Sequence, residues 1–114
     1  MNIKYHYLPQ SKVEKKFPEF GYLMTLNLSH EEVAELLGIE FTKEDNVNSD
    51  IWIAHIRFDV SPFVFQFRHE RTDSAQRTVV AARGRDIDLR EAYSRFIEAF
   101  KIPGKHIGWM SDNL

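Results

Sequence analysis

The chain has 114 residues, 43% of them hydrophobic and 13% aromatic, which argues for one folded domain spanning residues 1–114 and against intrinsic disorder. It has no cysteine, so disulfides, thiolate nucleophiles and cysteine-ligated zinc are excluded. The net charge of -2 does not by itself indicate a nucleic-acid partner. Neither a secretory signal nor an apolar run of roughly 20 residues is visible, so we expect a cytoplasmic protein with no membrane contact.

The charges are unevenly distributed along the chain. Residues 31–50 hold seven acidic side chains and one lysine, whereas residues 57–85 hold six arginines and three acidic side chains. The chain is therefore acidic first and basic later, and this distribution says more about partners than the net charge does.

The N-terminal part of the sequence predicts two strands. Residues 3–8 (IKYHYL) alternate apolar and polar side chains, and residues 22–28 (YLMTLNL) alternate as a half-buried strand does. Residues 9–21 read as a connector, because prolines and a lysine cluster interrupt any regular period.

The segment LSHEEVAELLG predicts a short helix with well-marked ends. Ser29 and Glu32 are spaced as a capping box, in which each side chain satisfies a backbone N–H at the helix start. Leu28 and Val33 have the spacing of a hydrophobic staple, and Gly38 suits the left-handed position after the helix. The predicted buried stripe consists of Val33, Leu36 and Leu37.

The middle of the chain predicts a loop followed by three strands. Residues 39–50 read as an exposed acidic loop, and the strands are expected at about 51–60, 63–71 and 76–83. Their short connections favour antiparallel hairpins over parallel crossovers.

A second helix is predicted over residues 88–101 (DLREAYSRFIEAFK). Asp88 and Glu91 have N-cap and N3 spacing, and apolar side chains recur at helical spacing. The following Pro-Gly pair should end the helix, and HIGWM should fold back onto the body. The order β-β-α-β-β-β-α predicts an α+β fold, with an antiparallel sheet of four to five strands and two helices packed on one face.

Catalysis is the first functional hypothesis. His55 and His69 lie on neighbouring predicted strands and could act as the acid and base of a ribonuclease, with Arg57 or Arg71 near the phosphate. Strand alternation argues against this, because the two histidines need not share a face, and we interpret both as rim residues of the sheet. No nucleophile elbow, Gly-rich phosphate loop or zinc helix is visible, so we expect no enzyme, metal or cofactor.

Nucleic-acid binding is the second hypothesis. The order α-β-β-β-α matches double-stranded RNA-binding domains, which contact phosphates through a basic start of their second helix. Here that start carries Asp86, Asp88 and Glu91, which would repel phosphate. The alternative function is therefore a small nucleic-acid-binding or RNA-cleaving domain that uses a cluster on the strands instead. That cluster comprises His55, Arg57, Arg68, His69, Arg71 and Arg77.

Recognition of a basic protein is the hypothesis that the charge pattern favours. Seven acidic side chains with one compensating lysine create a negative field that attracts a cationic partner and speeds encounter. Aromatic side chains beside them would anchor the contact. The predicted partner-binding residues are Glu31, Glu32, Glu35, Glu40, Phe41, Glu44, Asp45, Asp50 and Trp52.

A small, cysteine-free, aromatic-rich α+β chain with a concentrated acidic region resembles the bacterial immunity proteins of polymorphic toxin systems, in particular those of contact-dependent growth inhibition. The resemblance is one of size and character over the whole chain, and it carries no residue roles with it. It implies a non-enzymatic, cytoplasmic antitoxin that binds a cognate toxin domain, for example a nuclease, and blocks its basic active site.

Overall fold

The computed structural model describes residues 5–8, 19–43, 51–58, 63–70, 77–85 and 87–111. Within these ranges lie seven strands, two α-helices and one short 3-10 helix. In chain order they are β1 (Tyr5–Tyr7), β2 (Glu19–Leu26), α1 (His30–Leu37), β3 (Thr42–Lys43), β4 (Ile51–Phe58), β5 (Val64–Glu70), β6 (Thr78–Gly84), α2 (Leu89–Phe100), the 3-10 helix (Gly104–His106) and β7 (Ile107–Met110).

The seven strands form one antiparallel sheet, in which six follow the order β1-β4-β5-β6-β2-β7. The two-residue β3 pairs with β4 on the same edge as β1, because β5 takes the other edge of β4. The α+β class and the antiparallel sheet are thus confirmed, but the predicted strand count of four to five is wrong. The additional strands, β3 and β7, span two and four residues, which is too short for side-chain alternation to reveal them in the sequence.

One face of the sheet, which we call the helix face, carries both helices. Phe65 and Phe67 of β5 lie 5.5 and 5.9 Å from the ring of Phe96 in α2. On the same face, His30 of α1 stacks on Trp52 of β4 with ring centroids 4.5 Å apart. The buried apolar side chains of the three central strands on this face are Ala54, Ile56, Phe65, Phe67, Val80 and Ala82.

The opposite face of β4 is also buried. Ile51, Ile53 and His55 alternate with the helix-face residues of this strand and are only 5%, 7% and 4% exposed. The interpretation of His55 and His69 as rim residues is therefore wrong, since His69 is 2% exposed. A strand that is buried on both faces explains why 51–56 contains so few charged residues.

Strand β2 departs from the predicted alternation. It begins inside the predicted connector, and its register with β6 shifts between Tyr22 and Met24. Because of this irregularity Leu23 and Met24 are both fully buried, while Tyr22 is 53% exposed. At Gly21, an added Cβ would lie 2.6 Å from Cδ2 of Leu89, so glycine allows α2 to approach β2 closely.

The ends of α2 are set by local bonds. The side chain of Asp88 accepts hydrogen bonds from the backbone N–H groups of Arg90 and Glu91, at 3.1 and 3.3 Å. The helix ends at Phe100, because Lys101 adopts a left-handed conformation with φ of 44°. The end therefore falls before the Pro-Gly pair that was expected to cause it.

Candidate partner-binding groove

Helix α1 has the predicted capping box. The backbone N–H of Glu32 donates to Oγ of Ser29 at 3.2 Å, and the N–H of Ser29 donates to Oε1 of Glu32 at 3.0 Å. At the other end Gly38 has φ of 69°, and its N–H donates to the carbonyl of Ala34 at 2.9 Å. These bonds hold both ends of an eight-residue helix that would be marginal by itself.

The face that α1 turns toward the sheet differs from the predicted one. Val33 is the fully buried residue of the helix, and Leu37 packs beside it against the core. Leu36, which was expected to be buried, is 45% exposed. His30 takes the third position instead, because 30, 33 and 37 follow one stripe along a helix and the ring of His30 packs on Trp52.

An open groove with a volume of about 410 Å³ lies beside α1. Its lining residues are Leu28, Glu32, Glu35, Leu36 and His106. Two leucines give it an apolar surface, two carboxylates give it negative charge, and the histidine belongs to the 3-10 helix 70 residues further along the chain. Glu35 and Leu36 reach the same groove as Glu32 because they are three and four positions after it on α1.

The structure places the other predicted acidic residues less closely together. The side chain of Glu31 is 84% exposed and lies 3.8 Å from Nε2 of His30, outside the groove but one turn from Glu35. Glu40 is exposed, and its backbone N–H donates to Oη of Tyr7 at 2.7 Å, which ties the segment after α1 to β1. The predicted contact residues outside the described ranges are Glu44, Asp45 and Asp50.

The acidic side chains of α1 are not neutralised by arginine or lysine within the described part of the chain. There, arginine ion pairs form elsewhere: Arg68 with Glu70 at 3.2 Å, and Arg95 with Glu91 at 3.1 Å. In that same part, neither arginine nor lysine forms an ion pair with a glutamate of α1. The helix therefore presents negative potential to solvent and to any partner that approaches it.

The two predicted aromatic anchors contribute to the chain's own packing. Phe41 is half-buried, and its ring lies 6.2 Å from that of Phe67 and 5.9 Å from that of His30. Trp52 is also half-buried and stacks nearly parallel to His30, at an interplanar angle of 9°. Both rings fix α1 and the segment after it on the sheet, so a partner would reach only their exposed edges.

The two strand histidines cannot act together on one substrate. Trp52 pairs with His69 across β4 and β5, so His69 lies on the helix face, whereas His55 is three residues from Trp52 and lies on the opposite face. Nδ1 of His69 is 2.8 Å from the carbonyl of Arg77, which can only accept, so Nδ1 is the donor. The acid–base pair of the ribonuclease hypothesis is therefore excluded by the strand register.

The arginines of the same hypothesis are dispersed. Arg57 and Arg68 are exposed on the face opposite the helices, and Arg68 is paired with Glu70. Arg77 is exposed at the start of β6, while Arg71 lies outside the described residues. The cluster of the alternative function is thus reduced to exposed arginines on one sheet face, where the exposed His6 of β1 is the cross-strand partner of Arg57.

Sequence reasoning missed Leu28, Leu36 and His106 as groove residues. The two leucines were assigned to packing, and Leu28 is indeed 6% exposed. Nothing in the local sequence of His106 links it to α1. The contact arises from the chain after α2, whose backbone at His106 accepts a hydrogen bond of 2.7 Å from the N–H of Asn27.

No protein-family model, curated protein or solved structure matches this chain. Within the described residues, no group of three or more histidine and carboxylate side chains could hold a metal ion, and no helix is long and apolar enough to cross a membrane. The fold and the groove together define an α+β domain with an acidic, partly apolar groove beside its first helix.

Proposed function

We propose that this chain is a non-enzymatic immunity protein that binds and neutralises a cognate bacterial toxin domain. The groove lined by Glu32, Glu35 and Leu36 is the observation that carries the proposal. It combines negative charge with apolar surface, which is the chemistry that receives a lysine or arginine side chain with its aliphatic stem. A nuclease toxin exposes such cations in its active site, because it must hold phosphate.

The mechanism is occlusion of that active site. A cation of the toxin pairs with Glu35 in the groove, Glu31 adds long-range attraction from one turn away, and the stem of the cation lies on Leu36. The carboxylate of Glu32 contributes charge but already accepts a hydrogen bond in the capping box, so it is a weaker candidate for a direct contact. The nucleic-acid substrate of the toxin is excluded because the bound immunity protein covers the residues of the toxin that hold phosphate.

Charge reversal at the groove tests the proposal. Glu35→Lys should weaken binding of the cognate toxin domain by about 10–100-fold, since a charge pair becomes a repulsion. Glu98→Lys is the matched control, because Glu98 is an exposed glutamate on α2 and makes the same change of net charge. Titration calorimetry with the purified toxin domain measures the affinity, and growth of cells that express the toxin measures protection. Equal affinity of the two variants would reject the groove as the binding site.

A nucleic-acid-binding module is the second candidate, favoured by the exposure of Arg57 and Arg68 on the same sheet face. It predicts that labelled single-stranded or double-stranded oligonucleotides bind at low salt, with an affinity that falls as salt is added. Arg68→Gln should weaken this binding, whereas Arg95→Gln on α2 should not. If the fluorescence anisotropy of the labelled oligonucleotides does not change at micromolar concentrations of the protein, this candidate function is rejected.

A further inference from the structure

Three exposed aromatic side chains lie on the sheet face opposite the helices. Phe20 and Tyr22 belong to β2 and Trp109 belongs to the neighbouring β7, and each is about half exposed. Tyr22 is opposite Ala81 of β6, and Trp109 lies in the same row of the sheet as Val79. Ala81 and Val79 alternate with the helix-face residues of β6, so the three rings project from the other side of the sheet. Exposed rings gathered in this way mark an interaction surface more often than isolated ones do.

The three rings occupy successive rows of the sheet. Phe20 and Tyr22 are two residues apart, which corresponds to about 6.6 Å along a strand. Their ring centroids are 5.4 Å apart, in an edge-to-face contact. Because the register of β2 shifts between Tyr22 and Met24, the next side chain of β2 on this face is that of Thr25, and Trp109 is its cross-strand partner. The rings therefore follow one another along the strand direction.

Arginines lie beside these rings on the same face. The guanidinium carbon of Arg83 is 5.4 Å from the centroid of the Phe20 ring, in cation–π contact. Arg68 lies in the same row of the sheet as Trp109, and its side chain is 44% exposed although it pairs with Glu70. Glu70 is the one acidic side chain among the described strand residues of this face. We call this surface the aromatic face; it comprises Phe20, Tyr22, Arg68, Arg83 and Trp109.

The aromatic face is complementary to a single-stranded nucleic acid. Such a polymer repeats a flat base and a phosphate along its length, so it can place successive bases on successive rings and its phosphates near the arginines. A duplex lacks this complementarity, because its bases are stacked on one another. A protein partner could also contact aromatic and arginine side chains, but nothing in its chemistry requires rings in successive rows. The exposed glutamates of α1 lie on the other side of the sheet, so they do not oppose the approach of phosphate.

We infer that the aromatic face binds single-stranded DNA or RNA, with bases stacked on its rings and phosphates held by its arginines. Stacking uses the flat face that every base has, so the affinity should depend little on base sequence. The inference rests on the second candidate function, nucleic-acid binding, which it narrows to single strands. It does not depend on the proposed neutralisation of a toxin through the groove of α1.

Removal of single rings tests the inference. The probe is a labelled oligothymidylate of about ten nucleotides, a length within the usual range of single-strand sites, and fluorescence anisotropy measures its binding at low salt. Tyr22→Ala and Trp109→Ala should each weaken binding about tenfold, the loss expected for one stacked base. Tyr22→Phe is the matched control, because it keeps a ring at the same position and should bind as tightly as the unaltered chain. A duplex of the same length should bind at least about tenfold more weakly.

Tryptophan fluorescence gives a second measurement that does not require a loss of affinity. The chain has two tryptophans, and Trp52 is stacked on His30 on the helix face. A base stacked on Trp109 should quench the emission of that residue when unlabelled oligothymidylate is added. The quenching should disappear in Trp109→Phe, although this variant keeps a ring and should still bind the oligonucleotide.

The outcomes separate this inference from the candidate function on which it rests. If Tyr22→Ala and Trp109→Ala bind as tightly as the unaltered chain while Arg68→Gln binds weakly, base stacking is refuted and nucleic-acid binding through phosphate contacts stands. Absence of binding by every oligonucleotide would overturn both. If no oligonucleotide binds and the two alanine variants lose affinity for the cognate toxin domain, the aromatic face belongs to the protein partner instead.

Discussion

Helices α1 and α2 lie on the same face of the sheet but are held there by different interactions. Helix α2 has twelve residues and buries Ala92 and Phe96 completely, with the ring of Phe96 between 5.2 and 5.9 Å from three other phenylalanine rings. Helix α1 has eight residues and buries Val33 alone, supported by the stack of His30 on Trp52 and by caps at both ends.

This difference between the helices suits α2 to stabilising the fold and α1 to recognition of a partner. Helix α2 is stabilised by burial of apolar surface, which leaves little freedom to change its inner face. Helix α1 depends on backbone bonds at its ends, so most of its side chains remain available to solvent. Three of its eight residues are exposed glutamates, and a surface of this kind can change its partner without loss of the fold.

The largest effect is expected for Phe96→Ala. Removal of a fully buried ring from the centre of the aromatic cluster should lower the free energy of unfolding by about 3–5 kcal/mol. Leu36→Ala on α1 should change it by less than about 0.5 kcal/mol, because that side chain is exposed. Urea denaturation followed by fluorescence measures both. A comparable loss from Leu36→Ala would mean that α1 belongs to the core as firmly as α2 does.

A smaller loss is expected for Val33→Ala, the residue on which the burial of α1 depends. Two buried methyl groups are removed, which should lower the free energy of unfolding by about 2 kcal/mol. Because α1 has few other buried contacts, hydrogen exchange should accelerate in 30–37 and remain unchanged in α2. Uniform acceleration in both helices would show that they unfold as one unit.

The caps of the two helices allow a direct comparison. Ser29→Ala and Asp88→Ala should each lower the free energy of unfolding by about 1 kcal/mol, because each leaves helix N–H groups without their acceptor. The loss of free energy in Ser29→Ala should be a larger fraction of the stability of α1 than the loss in Asp88→Ala is of the stability of α2. Circular dichroism together with hydrogen exchange can measure how much each helix is destabilised. If Ser29→Ala left exchange in α1 unchanged, packing rather than capping would hold this helix.

Much of this architecture could be predicted from local sequence. The capping box of Ser29 and Glu32, the left-handed Gly38 and the N-cap of Asp88 are short-range features, and the structure confirms each of them. The three central strands were also found, since their apolar residues follow a period of two over several positions.

Other features depend on contacts between distant residues and could not be predicted in this way. Strand β7 is defined by its pairing with β2, and His106 reaches the groove of α1 only after α2 has reversed the chain direction. The burial of His55 depends on what covers the second face of β4, which period-two alternation does not encode. Of the predicted contact residues Glu32 and Glu35 line the groove, but the groove itself was not predicted from the sequence.

The smallest expected effects concern the C-termini of the helices, where the same left-handed conformation is filled by different residues. Gly38 ends α1 with no atom within 4 Å of an added Cβ, so Gly38→Ala should lose about 1 kcal/mol from backbone strain alone. Lys101 ends α2 with φ of 44°, so Lys101→Gly should remove that strain and raise the free energy of unfolding by about 0.5–1 kcal/mol.

Thermal or urea denaturation measures the change in the free energy of unfolding for both variants. Opposite signs would show that backbone strain determines both changes, because the side chain of Lys101 is exposed and makes little packing contact. A loss of stability in Lys101→Gly would mean that the side chain of Lys101 stabilises the C-terminus of α2 by more than the strain costs. Interaction with the negative end of the helix dipole, which is sensitive to salt, would then be its source, and added salt should abolish the difference.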